Sequence, residues 1–261
     1  MGKTTIHCVR HAQGYHNLSE ANHALHDPDL TPLGEQQCAT LAENFPHHSK
    51  ITHLVASPLR RTLYTCLLSF PEEVQAGLKV AALPELQETS DLPCDTGSEP
   101  SILAAEFSSG QLAGTVDLAL VKEGWNSKQG RWSPAASAIE ARARDARIWL
   151  RNLAQSQSGD GDVDIVVVTH GGYLHYFTED WQGNEKFVGT GWANTEYRSY
   201  EFVDPSFRDS AASLIETRES RAERTGSEKP LSEDEQRELR ASAEREWRES
   251  GFQSGPEVAK L

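Results

Sequence analysis

Residues 6–17 read Ile6-His7-Cys8-Val9-Arg10-His11-Ala12-Gln13-Gly14-Tyr15-His16-Asn17. The apolar run at the start predicts a short buried strand, and the small and polar residues after it predict a loop. Arg10 and His11 therefore lie at the carboxyl end of the strand, the edge where open α/β sheets bind their ligands. A guanidinium can hold two oxygens of an anion while an adjacent imidazole attacks it or donates a proton. This stretch predicts an anion site at the edge of a sheet.

Two other predicted strands are also followed by ionisable side chains. The strand at 51–56 ends before the segment 57–61, in which two arginines lie near the start of a helix. Free N–H groups and the helix dipole favour an anion there. The strand at 80–83 precedes Glu85 and Glu88. These segments add positive charge and a carboxyl group to the predicted edge.

The run at 163–168 contains four valines and one isoleucine without alternation. A continuous β-branched run is typical of a central strand that is buried on both faces. The run ends at His170 and Gly171, which places a second imidazole at the carboxyl edge beside a residue that permits close backbone approach.

Arginines, two imidazoles and one carboxyl group at a single sheet edge suit phosphoryl transfer. The guanidinium groups neutralise the phosphoryl oxygens, one imidazole attacks phosphorus in line, and the acid protonates the leaving alkoxide. None of these steps requires a metal ion.

The composition of the chain further restricts the partners and the compartment that we expect. The chain has 261 residues and a formal net charge of −14, which argues against nucleic acid or an anionic membrane surface as a partner. Its four cysteines form no CxxC pair, so buried thiols are favoured over disulfides. The sequence shows no signal-like apolar core and no run of membrane-spanning length, so we expect a cytoplasmic protein. It predicts no metal site and no cofactor.

The predicted organisation is an α/β fold in which helices cover both faces of a mostly parallel sheet. Residues 1–204 form the main domain, with an inserted helical cap at about 92–135, and the region 101–157 reads as mostly helical. Thr31 as the N-cap and Pro32 as the first helical residue predict a helix that runs to about Asn44, with Leu33, Gln37, Leu41 and Phe45 along one face. A strand at about 197–203 is expected to close the sheet. Residues 205–261 form a charged helical extension, to which the sequence assigns no chemistry.

These residues together resemble the histidine phosphatase superfamily, also called phosphoglycerate mutase-like. The motifs that carry the resemblance are Arg10-His11-Ala12 with Asn17 downstream, Leu30-Thr31-Pro32-Leu33-Gly34, the set Ser57, Leu59, Arg61 and Thr65, and His170-Gly171. The resemblance spans about residues 4–203 and is greatest to the branch found in fungi and plants. This sequence differs from the family motif at Ala12, where glycine is the commonest residue. A methyl group is tolerated there if the φ angle is negative.

The resemblance implies a role for each motif residue and a three-layer α/β/α sandwich as the fold. His11 would carry the phosphoryl group as a phosphohistidine. Glu88 matches the position of the family's general acid better than Glu85. The motif that contains Ser57 and Thr65 selects Arg61, and not Arg60, as the phosphate ligand. The residues assigned to the phosphate pocket and the substrate are Arg10, Asn17, Arg61, His170 and Gly171, with His170 also counted as catalytic.

The function predicted from this site is metal-independent hydrolysis of a small phosphomonoester. One alternative is a phosphoglycerate mutase, which keeps its phosphorylated intermediate from water and rephosphorylates a second hydroxyl group. The other is a catalytically silent protein that binds phosphate as a regulator. The sequence leaves the substrate and the oligomeric state open.

Overall fold

The computed structural model describes residues 2–156, 161–183 and 190–253, and the strands among them belong to one sheet. These strands are β1 (Thr4–Arg10), β2 (Ile51–Ala56), β3 (Val80–Ala82), β4 (Val116–Asp117), β5 (Val163–Thr169), β6 (Tyr197–Phe202) and β7 (Leu214–Glu216). Their order is β4-β3-β2-β5-β1-β6-β7. Strands β1 to β5 run parallel, and β6 pairs antiparallel with β1 and β7. The sheet is mostly parallel, as predicted.

Strand β5 lies at the centre of the sheet, and all seven of its residues are buried. Ile165 and Val167 belong to the apolar cluster on one face, whereas Val166 and Val168 belong to the cluster on the other. Burial on both faces explains why this strand reads as a continuous apolar run.

Helices cover both faces and complete the predicted three layers. The helices are α1 (Pro32–Asn44), α2 (Arg60–Ser69), α3 (Pro71–Gln75), α4 (Pro100–Phe107), α5 (Ala136–Ser156), α6 (Gly171–Thr178), α7 (Arg218–Thr225) and α8 (Glu233–Glu249). Side chains of α5, α6 and α8 pack in one apolar cluster, and those of α1, α2 and α4 pack in the other. No helix within the described residues is both long and apolar enough to cross a membrane.

Helix α1 begins where its sequence predicts. The Thr31 hydroxyl accepts a hydrogen bond from the Gly34 N–H at 3.0 Å, and Pro32 occupies the first helical position. The cap satisfies one of the N–H groups that a helix start leaves unpaired.

The buried face of α1 differs from the periodicity we predicted. Leu33 was expected on the core face, but it is 49% exposed; the buried positions are Gly34, Cys38 and Leu41. Gly34 packs directly on the loop after β1, because a Cβ atom there would lie 2.2 Å from the carbonyl oxygen of Gln13. Close contact at the glycine turns the helix so that Leu33 faces solvent.

The inserted segment contains less helix than predicted. Between residues 92 and 135, the helical elements are one eight-residue α-helix, α4, and short 3₁₀ helices. Strand β4 also lies in this segment and pairs with β3 at the edge of the sheet. The helical prediction for 101–157 holds mainly for α5.

The C-terminal extension is part of the core, which the sequence did not predict. Strand β7 pairs with β6, so β7 and not β6 forms that edge of the sheet. Trp247 on α8 is 7% exposed and belongs to the same apolar cluster as α5 and α6. Residues 254–261 of the predicted extension lie outside the described residues. All four cysteines are buried and free, as predicted.

Candidate active site

A cleft of about 800 Å³ opens at the edge where the parallel strands end. The predicted site residues that border it are Arg10, His11, Asn17, Arg61 and Glu88. They arrive from separate elements, because the parallel strands all carry their carboxyl ends to this edge. The sheet topology therefore brings together residues that are distant in sequence.

His11 is held in one tautomer by its own backbone segment. Its Nδ1 lies 2.7 Å from the carbonyl oxygen of Ala12, a distance at which Nδ1–H donates and Nε2 is left unprotonated. Burial lowers the pKa of His11 well below its usual value, and the guanidinium of Arg61 lowers it further. The ring is therefore neutral and presents a free Nε2.

The backbone around His11 is fixed on two sides. The Thr65 hydroxyl on α2 accepts a hydrogen bond from the Ala12 N–H at 3.0 Å. The Asn194 amide donates to the His11 carbonyl at 2.9 Å. The φ angle of Ala12 is not positive, which confirms that a methyl group is tolerated at this position.

His170 lies directly behind His11 and does not border the cleft. The two ring centroids are 5.3 Å apart, and His170 is fully buried. Its Nδ1 accepts from Arg61 Nη2 at 3.1 Å, so its Nε2–H donates to the Ser57 hydroxyl at 2.9 Å. Burial and the charge of Arg61 lower the pKa of His170 well below the usual value. His170 is thus a neutral ring that supports His11 and Arg61.

Arg61 has a buried carboxylate partner that the sequence did not reveal. Its Nη2 donates to Asp95 Oδ1 at 2.8 Å, and its Nη1 donates to the Cys94 carbonyl at 2.5 Å. The other oxygen of Asp95 accepts from the Ser90 hydroxyl at 2.5 Å. The Nε of Arg61 is buried and has no hydrogen-bond partner within the described part of the chain. Asp95 occupies a turn, where no periodic pattern signals a contact.

Arg10 enters the cleft from the end of β1. Its Nη1 donates to the carbonyl oxygen of Trp192, and its backbone pairs with Thr195 and Glu196. Arg198 stacks over the Trp192 ring at 3.6 Å and donates to Glu196 at 2.7 Å. Residues 192–196, which form the loop before β6, thus orient Arg10.

Glu88 faces the start of α6. Its Oε1 accepts from the N–H groups of Thr89 and Tyr173, both at 2.9 Å, and its Oε2 accepts from Gly172 at the longer distance of 3.3 Å. Removal from water raises the pKa of Glu88, and the Asp95 carboxylate raises it further. The result is a carboxyl group that retains its proton to higher pH than an ordinary glutamate.

Glu85 points away from the cleft. Its carboxylate pairs with Arg131 at 2.9 Å. The segment that carries both acids is held by Arg142 on α5, whose guanidinium donates to the carbonyl oxygens of Glu85 and Gln87 at 2.9 Å. Of the two acids, only Glu88 can reach a molecule in the cleft.

Gly171 does not border the cleft, in contrast to its assignment to the substrate. A Cβ atom there would lie 2.0 Å from the Thr190 hydroxyl, so this glycine admits the loop that contains Thr190. Its neighbour Gly172 borders the cleft and approaches the Glu88 carboxylate. Asn17 lies on the wall, where its side chain accepts from the Gly14 N–H at 3.0 Å.

Lys128 is a further charged group that the sequence did not single out. It comes from the inserted segment, and its Nζ donates to the Glu88 carbonyl at 3.3 Å. Burial lowers the pKa of Lys128 to about 7.

Within residues 2–156, 161–183 and 190–253, no group of three or more His, Cys, Asp or Glu residues is arranged to hold a metal ion.

The fold and these contacts define an α/β protein whose cleft, at the carboxyl edge of the sheet, is lined by Arg10, His11, Arg61 and Glu88. The chain belongs to the histidine phosphatase superfamily, since the sequence model of branch 1 of that superfamily matches residues 6–208.

Relatives from a plant agree with the predicted branch. A phosphoglycerate mutase-like protein of Arabidopsis thaliana is 27% identical over an alignment of 249 positions, which covers 77% of this chain and 84% of the plant protein. Phosphoglycerate mutase-like protein 1 of the same plant is 28% identical, with coverage of 81% and 86%. Among solved structures, the ecdysone phosphate phosphatase of Bombix mori, in complex with tungstate, superposes with a TM-score of 0.52 at 14% identity. The superposition covers 76% of this chain and 89% of that one, and it shows a shared fold.

Proposed function

We propose that this protein is a phosphatase that hydrolyses a small phosphomonoester without a metal ion, through a phosphohistidine on His11. One observation carries the proposal. His11 is neutral with a free Nε2, and it borders the same cleft as two guanidinium groups and a carboxyl group of raised pKa. Nucleophile, electrostatic stabilisation and acid are the three elements that phosphoryl transfer to a side chain needs.

The first step is binding of the phosphate group between Arg10 and Arg61. The buried Nε of Arg61 has no partner in the described part of the chain and can donate to a phosphate oxygen. Charge-assisted hydrogen bonds of this kind are about twice as strong as neutral ones. The two guanidinium groups also neutralise the oxygens as the transition state forms.

In the second step, Nε2 of His11 attacks phosphorus, and the bond from phosphorus to the ester oxygen breaks. Glu88 donates its proton to the departing oxygen, which leaves as an alcohol. The proton belongs on Oε2, because Oε1 already accepts two short hydrogen bonds. The products are the phosphohistidine and an ionised Glu88.

In the third step, the Glu88 carboxylate takes a proton from water. The resulting hydroxide attacks phosphorus, the nitrogen–phosphorus bond breaks, and inorganic phosphate forms. Both His11 and the protonated Glu88 are thereby restored. His170 acts through its neighbours, because its ring nitrogens bond to Arg61 and Ser57.

Asp95 has two effects in this scheme. It fixes the guanidinium plane of Arg61 through the 2.8 Å ion pair. Its negative charge also raises the pKa of Glu88, which favours the protonated acid needed for the second step. We therefore assign Asp95 as a positioning residue.

The test is phosphate release from a panel of sugar, glycolytic and nucleotide monoesters, measured with and without a chelator. Release that the chelator leaves unchanged, and that His11→Ala abolishes, supports the proposal. Labelled phosphate trapped on the protein after rapid quenching should map to His11. Isomerisation of a phosphoglycerate without release would instead indicate a mutase, and binding without turnover would indicate a regulator.

A further inference from the structure

The outer part of the cleft has one wall made by the C-terminal extension. Glu246, Trp247, Ser250 and Phe252 border the cleft. Trp247 is anchored by ring contacts with His175 and Trp181, with centroids 6.1 Å and 5.9 Å apart. This wall is therefore attached to the core beside α6.

The facing wall comes from the short 3₁₀ helix Glu20–Ala24. Glu20 and His23 border the cleft there, and the rings of His23 and Phe252 are 5.8 Å apart. The segment Glu20–Ala24 and the C-terminal extension thus come into contact at the outer cleft.

Charge is distributed unevenly along the cleft. The arginines that border it, Arg10 and Arg61, lie at the floor, and Arg61 is paired with Asp95. In the outer part, the charged residues that the structure describes are the acids Glu20 and Glu246; no lysine or arginine of the described ranges borders the cleft there. Aromatic surface from Trp247 and Phe252 lies beside these carboxylates.

We propose that the outer cleft selects phosphomonoesters whose leaving group carries no negative charge and presents an apolar or aromatic face. This inference rests on the proposed phosphatase activity and names its substrate class. The cations that border the cleft at its floor are the two arginines, and one of them is already paired with Asp95. A carboxylate or a second phosphate on the leaving group would face Glu20 and Glu246 without a cation, and like charges across an interface disfavour binding. A ring can pack against the aromatic surface.

The test compares two aryl phosphates of nearly equal size, 4-carbamoylphenyl phosphate and 4-carboxyphenyl phosphate. The amide and the carboxylate have the same shape but differ by one charge. We expect kcat/KM to be about tenfold higher for the amide ester at low ionic strength. The preference should shrink as salt is added, because exposed charges are screened.

Variants locate the origin of the preference. Glu246→Gln and Glu20→Gln should each reduce the ratio of the two kcat/KM values by about threefold, through a gain with the carboxylate ester. The matched control is Glu249→Gln, on the same helix, which is exposed and is not among the residues that border the cleft. This control should leave the ratio unchanged.

The outcomes separate the two proposals. Equal kcat/KM for the two esters, or a preference for the carboxylate, overturns the charge selection while phosphate release still supports the phosphatase. A ratio that Glu249→Gln lowers as much as Glu246→Gln also overturns it. Release from neither ester nor any member of the monoester panel overturns the phosphatase activity, and the substrate class with it.

Discussion

Oδ1 of Asp95 lies 2.8 Å from Nη2 of Arg61, and these two residues are 7% and 0% exposed. One of the two guanidinium groups at the cleft floor is therefore paired with an acid before any phosphate binds. A buried pair is stabilised when its other hydrogen bonds are also made; the Cys94 carbonyl and Ser90 make two of them, and Nε of Arg61 has no partner among the described residues. The pairing lowers the net positive charge of the pocket, which in the proposed mechanism favours release of inorganic phosphate.

Asp95→Asn should alter both the charge and the pH dependence of the site. Loss of the negative charge lowers the pKa of Glu88, so the alkaline limb of kcat/KM should move to lower pH. Arg61 loses its counter-charge, so inorganic phosphate should inhibit more strongly. Measurement of the pH profile and of the phosphate inhibition constant checks both effects.

The control for this variant is Asp91→Asn, which removes the same charge from an exposed position in the same turn-rich segment. Its profile should match that of the unmodified protein. The groups whose charges act on Glu88 alongside Asp95 are Arg10, Arg61, Lys128 and Arg142. An alkaline limb that does not move in Asp95→Asn would contradict the role assigned to this carboxylate.

The unmodified protein should retain activity in acid and lose it as the pH rises. In the proposed mechanism His11 acts as the neutral ring, and burial lowers its pKa, so its contribution is lost only at low pH as the ring is protonated. Glu88 is proposed to act as the protonated acid, and its pKa is raised, so its contribution is lost as the pH rises through that pKa. Profiles of kcat/KM for an alkyl phosphate should therefore be broad and highest below neutral pH. A maximum well above neutral pH would rule out Glu88 as the acid.

Glu88→Gln should slow turnover most for esters with poor leaving groups. Without a proton donor, the loss of kcat for an alkyl phosphate is expected to be about 10²- to 10⁴-fold. An aryl phosphate with an acidic phenol needs less protonation, so its first step should slow less. Because the same residue activates water, phosphohistidine should accumulate with the aryl ester, which rapid-quench labelling detects.

Glu85→Gln is the matched control for this experiment, since Glu85 pairs with Arg131 outside the cleft. It should leave the dependence on the leaving group unchanged. If Glu85→Gln and Glu88→Gln reduced turnover equally and without regard to the leaving group, the assignment of the acid would be wrong.

Much of the fold was predictable because local patterns agreed with it. The apolar run of β5 indicated a central strand, and Thr31 with Pro32 indicated the start of α1. The ends of parallel strands at one edge then predicted that Arg10 and His11 would meet an arginine of the segment 57–61, and the family resemblance selected Arg61. In each case, a short stretch of sequence was sufficient.

The parts of the fold and the site that the sequence did not predict depend on contacts between distant segments or on elements too short to show a pattern. Asp95 lies in a turn with no periodicity, so its pairing with Arg61 becomes evident only in three dimensions. Trp247 and Phe252 belong to a highly charged segment whose sequence resembles a solvated helix, yet they border the cleft. Strand β4 has only two residues, too few to show a period.

Arg142→Met should weaken both the fold and the general acid. The buried guanidinium donates to the carbonyl oxygens of Glu85 and Gln87 and lies 5.1 Å from the Tyr173 ring. A methionine leaves those carbonyl groups unsatisfied, so the free energy of unfolding should fall by about 2–4 kcal/mol in urea titration. Glu88 directly follows the segment 85–87, in which two carbonyl groups would lose their hydrogen bonds to Arg142. The proposed acid would then be less well positioned, so kcat should fall more than KM rises.

The matched control for Arg142→Met is Arg144→Met, on the exposed face of the same helix. It removes the same charge and side-chain length, so both unfolding and turnover should stay close to those of the unmodified protein. An Arg142→Met protein that is destabilised but keeps its full kcat would show that the hydrogen bonds of Arg142 support the fold without positioning Glu88. Equal losses in the two variants would show that the charge of α5 matters more than the hydrogen bonds of Arg142.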